Sequence, residues 1–85
     1  MTQPPGQLPR PPRLFRADYV LSGQVRLEGY PFRYIALTAE GHVGNQAFDV
    51  VLSAVELLET LGWELVNLTD NDYFSPVAFL RRRMP

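Results

Sequence analysis

The chain has 85 residues, 46% of them hydrophobic and 20% charged, with a formal net charge of −1, one histidine and no cysteine. That length holds one small domain and excludes a two-domain enzyme, while the absence of cysteine excludes a disulfide scaffold and a thiolate zinc site. No apolar run approaches the ~20 residues that span a bilayer, and the start, MTQPPGQLPRPPR, lacks the continuous apolar stretch of a secretory signal, so a cytoplasmic protein is expected.

Residues 1–13 hold five of the eight prolines. Proline has no backbone donor and a locked φ, so this segment reads as a disordered or partner-ordered tail ahead of a single domain over 14–85. Pro9 and Pro12 give a PxxP spacing, the pattern of a docking arm. The cations are all arginines: Arg10, Arg13 and Arg16 near the start, Arg81, Arg82 and Arg83 near the end, and between them only Arg26 and Arg33 against nine acids. An acidic body with basic ends is unlike a domain whose folded face tracks a phosphate backbone.

From Phe15 to Leu27 apolar and polar residues alternate, the pattern of a long half-buried strand. Glu28-Gly29-Tyr30-Pro31 supplies turn chemistry, and Phe32–Ala39 follows as a second strand, so a hairpin is predicted. In that register Val25 and Leu27 share a face with Phe32 and Tyr34, and the reverse face carries Val20, Ile35, Leu37 and Ala39. Residues 40–44 form a loop. A helix then runs from an Asn45 N-cap to Leu61, where Gly62 stops it. Its polar stripe is Asp49, Ser53, Glu56 and Thr60, and its core stripe Ala47, Val51, Ala54, Leu58 and Leu61. Phe48 and Leu52 fall between the two. Trp63–Thr69 reads as a third strand, Asp70-Asn71-Asp72 as a turn and Tyr73–Arg82 as a fourth strand. Pro76 removes a ladder donor from this last strand, which places it at an edge, bulges it, or confines its pairing to the other side. The expected fold is α+β, a four-stranded mainly antiparallel sheet with one helix on one face, in the order β-β-α-β-β.

The stretch Leu57-Leu58-Glu59-Thr60-Leu61-Gly62-Trp63-Glu64-Leu65-Val66, followed by a turn and Ala78-Phe79-Leu80-Arg81-Arg82, resembles the small bacterial family named domain of unknown function 4177. The resemblance covers the C-terminal half and centres on Gly62 to Val66. It implies a helix, a Gly-Trp-Glu-Leu-Val strand and a closing strand ending in basic residues, and it implies no active site. Independently of the family, Trp63 is expected to cover the helix end as a structural residue.

Candidate sites are few. His42 is the only histidine and has no HxH or HExxH partner, so no metal is expected. Ser22, Ser53 and Ser75 lack a nucleophile-elbow context. The loop Gly41-His42-Val43-Gly44-Asn45 has neither the lysine of a P-loop nor the third glycine of a dinucleotide fingerprint. A non-enzyme without catalytic residues or cofactor is expected. Arg81, Arg82 and Arg83 are candidate contacts to an anion or nucleic acid. The stronger signal is an excess of apolar surface, because the second, third and fourth strands carry large apolar residues on both faces and one helix covers only one. The chain is therefore expected to be a protein-interaction module, a homo-oligomer or accessory subunit of a larger bacterial assembly. Its interface would comprise Val20, Ile35 and Leu37 on the open sheet face and Phe48 and Leu52 on the helix flank. The alternative is a small nucleic-acid-associated protein working through its terminal arginines.

Overall fold

The computed structural model describes residues 10–71 and 75–83. Along the chain lie β1 (Leu14–Arg16), α1 (Ala17–Leu21), β2 (Tyr34–Thr38), α2 (Gly44–Glu59), β3 (Trp63–Asn71) and β4 (Ser75–Arg82). The strands form one sheet in the order β1-β2-β4-β3. β4 runs antiparallel to both neighbours, and β1 runs parallel to β2. The fold is α+β, with a mixed four-stranded sheet and two helices.

The expected first hairpin is not formed. Only Leu14–Arg16 is a strand, and its partner β2 runs in the same direction, which requires a crossover instead of a tight turn. Residues 17–33 supply it. The alternation from Phe15 misleads because Ala17 and Val20, three apart and assigned to opposite faces by a period of two, are both buried on one side of a single helical turn. Val25 and Leu27 do pack against the core, but from a segment without a strand partner. The turn at Glu28-Gly29 exists, closed by Tyr30 N–H donating to the Leu27 carbonyl at 3.1 Å. It ends no hairpin.

The main helix holds its expected place with different ends. Its N-cap is Val43, without a side-chain cap, so the Asn45 assignment is corrected by two residues. At the other end Glu59 is the last helical residue, the Thr60 hydroxyl donates to the Leu57 carbonyl at 2.6 Å, and Gly62 takes φ 97°, a left-handed conformation that favours glycine. Ala47, Val51, Ala54, Val55 and Leu58 are buried, whereas Leu61, assigned to the core stripe, is 66% exposed because it lies past the last helical turn.

β4 is not at an edge. It lies between β2 and β3, inserted into the β2-α2-β3 unit. Pro76 is tolerated because pairing to β2 ends at Val77 opposite Thr38, so the missing donor falls beyond that ladder while Asp70 on β3 lies opposite the proline. β3 is the long outer strand and carries a bulge: Leu65 opposes Leu80 and Asn67 opposes Phe79, leaving Val66 extra. Asp70 and Asn71 of the expected turn belong to β3, and Asp72 of that turn and Tyr73 and Phe74 of the expected fourth strand lie outside the described residues.

The core lies between the sheet and both helices. Ile35 and Leu37 of β2 and Ala78 and Leu80 of β4 form one buried cluster with the inner face of α2 and with Ala17 and Val20 of α1. At one end Phe15 and Phe32 meet Tyr30 edge to face and Trp63 meets it at a tilt, with ring centroids 5.6–6.2 Å apart. Residues 10–13, expected to belong to the tail, are fastened here. The Tyr30 hydroxyl donates to the Pro12 carbonyl at 2.6 Å, and the Arg13 guanidinium lies 3.7 Å from the Phe32 ring centroid. Pro9 and the residues before it lie outside the described residues.

Candidate interaction surface

Strand alternation divides the sheet's side chains between two environments. On β2 and β4, Ile35, Leu37, Ala78 and Leu80 face the helices, so Tyr34, Ala36, Val77, Phe79 and Arg81 face away. Leu14 of β1 opposes Ala36, and the bulge leaves Val66 on the same side as Asn67, which opposes Phe79. The resulting surface exposes Leu14 (51%), Tyr34 (49%), Val66 (51%) and Phe79 (42%). Tyr34 and Phe79 are diagonal neighbours on adjacent central strands, within reach of one another. At the other end of this face Thr38 and Val77, opposite each other, are buried, and the exposed row stops there.

Two arginines carried by the strands of this face are matched by carboxylates. Arg81 Nε donates to Glu64 Oε1 across the β4–β3 ladder, and this contact holds the Glu64 carboxyl below its ordinary 4.5 and raises Arg81. Arg16, on β1 opposite Thr38, donates from both Nε and Nη2 to the two carboxylate oxygens of Asp18, at 3.1 and 2.7 Å. That bidentate contact lowers Asp18 from 3.8, with a smaller contribution from His42, whose Nε2 lies 3.3 Å from Asp18 Oδ2. Arg16 also stacks over Tyr19, with 4.3 Å between guanidinium and ring centroid.

The remaining arginines show why the terminal clusters do not behave as a unit. Alternation sends Arg82 to the helix side, where its guanidinium lies 5.0 Å from the Trp63 ring centroid and donates to the Tyr30 carbonyl at 2.6 Å. Arg10 and Arg13 both lie over Phe32, and Arg33 over Tyr34. Arg83 donates its backbone N–H to the Gly62 carbonyl at 2.8 Å, at the edge of a cleft beside Trp63. Arg81 thus faces the open side of the sheet, whereas Arg82 and Arg83 both line the cleft beside Trp63.

Of the other residues expected at the interface, Val20, Ile35 and Leu37 are in the core. The division of β2 into two alternating sets was correct in the sequence; the set assigned to the open side is the one buried with the helices. Phe48 is half-buried and Leu52 exposed, both on α2 and away from the open sheet face. Sequence reasoning missed the Arg16–Asp18–His42 cluster, for which the only local signal is an arginine and an aspartate two residues apart at a helix start. It also missed the cleft beside Trp63, which needs the 22–33 segment to fold back on the end of α2.

Among the described residues no group of three or more His, Asp or Glu is placed to hold a metal ion, and no helix is long and apolar enough to cross a membrane. No family model, curated protein or solved structure matches the chain.

Proposed function

We propose that the chain is a non-enzymatic protein-interaction module that self-associates through the open face of its sheet. The observation that carries this is the exposed row of Leu14, Tyr34, Val66 and Phe79 on a face whose strand-borne arginines, Arg16 and Arg81, are each paired with a carboxylate. An apolar surface whose strand-borne arginines are matched by carboxylates suits a second copy of itself, because a twofold contact then brings apolar side chains together with little unmatched charge. A nucleic acid would need unpaired cations here, and the two arginines carried by the strands of this face, Arg16 and Arg81, already engage carboxylates. The alternative in which the same face seats the chain as an accessory subunit on a larger protein uses the same residues and differs only in partner.

Four exposed side chains make a small interface beside the ~800 Å² per partner of a standard one, so a reversible dimer with a Kd on the order of 1–100 µM is expected. Sedimentation velocity over a concentration series tests this. The weight-average mass of the wild type should rise toward twice the 9.7 kDa chain, and Phe79→Glu should remain monomeric with an unchanged circular dichroism spectrum. A wild type that stays monomeric, alone and in the presence of captured partners, would sink the proposal. Loss of association in Leu52→Glu but not in Phe79→Glu would move the interface to the α2 flank. A gel shift with RNA or DNA that weakens with salt and disappears in Phe79→Glu would give the face to nucleic acid instead.

A further inference from the structure

On the helix side of the sheet, away from the open face, a cleft runs between the 23–29 segment and the C-terminal end of α2 in two adjoining lobes. The larger, of about 480 Å³, has Leu27, Leu61 and Trp63 as its apolar walls. The smaller, of about 160 Å³, shares Leu27 and Leu61 and continues along Val20, Val25 and Leu57. A Cβ added at Gly29 or Gly62, both in the larger lobe, would meet no atom within 4 Å, so the space above both is open. The larger lobe lies within the ≈ 300–1,000 Å³ range of small-molecule sites.

The charge of this cleft runs against that of the chain. The whole chain has a formal net charge of −1, whereas the two lobes are lined by Arg26, Arg82 and Arg83 and a single carboxylate, Glu28. Arg82 is held in place, stacked on the Trp63 ring and donating to the Tyr30 carbonyl, and one such hydrogen bond leaves most of the five guanidinium N–H donors for another acceptor. Arg83 is anchored through its backbone to Gly62 at the mouth. A held Arg82 with Arg83 beside it in the larger lobe, and apolar walls continuing into the smaller one, favour a ligand with one anionic end and a flexible apolar body, since Arg82 needs little further ordering to bind.

We propose that this cleft binds an amphipathic monocarboxylate: an unbranched alkyl chain of medium length, with its carboxylate on Arg82 and Arg83 and its methylenes along Leu27 and Leu61 into the smaller lobe. This goes beyond the self-association proposed above and uses none of its residues. Trp63, the only tryptophan of the chain, lines the larger lobe and is a built-in reporter.

The test titrates the full chain with decanoate while following Trp63 emission and the amide shifts of Gly29 and Gly62. Decyltrimethylammonium at the same ionic strength serves as the control with a like tail and opposite charge. Decanoate should give a saturable response, and the cation should bind at least about tenfold more weakly. Arg83→Gln should weaken decanoate about five- to tenfold, and Leu61→Asp, at an exposed position, should abolish saturation with the fold intact. Phe79→Glu should bind as the wild type does. Absence of a saturable response in both emission and amide shifts overturns the proposal, as does equal binding of the cation or unchanged binding in Leu61→Asp. Loss of binding in Phe79→Glu would place the ligand on the open face and overturn it as well.

Discussion

The two faces of the sheet are built from the same strands and much the same residue classes, yet only one is covered. On β2, Ile35 and Leu37 are sealed beneath the helices while Tyr34, beside Ile35, is half exposed; on β4, Leu80 is fully buried and Phe79 is not. The difference lies in size as much as in hydropathy. Where α1, α2 and β4 meet, Ala17, Ala47, Ala54 and Ala78 have no exposed surface, and such small side chains let a helix approach the sheet closely. The open face has its largest side chains, Tyr34 and Phe79, on the two central strands, and among the described residues both remain partly exposed.

The largest expected effect in the chain follows from this contrast. Leu37→Ala deletes a fully buried side chain from the core cluster and should cost about 2–5 kcal/mol, whereas Phe79→Ala should cost under ~1.5 kcal/mol in the monomer because its ring already meets water. Urea unfolding at low protein concentration measures both. Equal costs would break the comparison, since they would mean that the open face is as enclosed as the core. A cost for Phe79→Ala that grows with protein concentration would sharpen it, by assigning that cost to association.

The sequence carried this contrast only in part, for physical reasons that differ by element. The 3.6-residue stripe of α2, the Gly62 stop and the strands after it were legible because each is set by local pattern. Parity on β2 was legible too, and the assignment of its faces was not, since alternation defines two sides without saying which one a helix reaches. α1 was hidden because five residues are too few to show a helical period, and because Val25 and Leu27 continue the alternation of a strand into a loop. The central place of β4 was hidden for another reason: partner choice between strands far apart in sequence is not a local property, and Pro76 marks the end of the β2 ladder rather than the rim of the sheet. The open-face residues Tyr34, Phe79 and Val66 follow from alternation, while Leu68, expected on the face of Val66, is returned to the core side by a bulge that no residue in Trp63–Asn71 announces.

A mid-sized effect is expected where the covered side is closed at its end. Tyr30 is buried among Phe15, Phe32 and Trp63, and its hydroxyl reaches the Pro12 carbonyl. Tyr30→Phe keeps the ring and removes that hydrogen bond, so a loss of about 0.5–1.5 kcal/mol and faster proteolysis after Arg10 or Arg13 are expected. Unchanged cleavage would show that residues 10–13 are held by the arginine stacking on Phe32 alone. It would then be those cation–π contacts, and not the buried ring's hydroxyl, that set where the domain begins.

The smallest effect concerns the charges that accompany the open face, and it has a defined sign. Glu64 and Asp18 titrate below their ordinary 4.5 and 3.8 in the folded chain because of Arg81 and Arg16. A depressed folded pKa contributes stability that is fully present above the unfolded value and is lost as pH falls through the folded one. Both pairs are solvent-exposed, so the shift of Tm in Glu64→Gln or Asp18→Asn should stay within about 2 °C near neutral pH, and the acid side of the Tm profile below about pH 5 should flatten in each. Association should respond more than stability does. Protonating Glu64 leaves Arg81 unmatched on a face meant to meet its own copy, so the wild-type dimer should weaken as pH drops below 4.5, with added salt restoring part of it. Glu64→Gln leaves Arg81 unmatched at every pH, so its dimer should already be weaker at neutral pH and lose most of that pH dependence. A dimer in Glu64→Gln whose affinity at pH 7 equals that of the wild type would show that the contact is made by Leu14, Tyr34, Val66 and Phe79 with the ion pair at its margin.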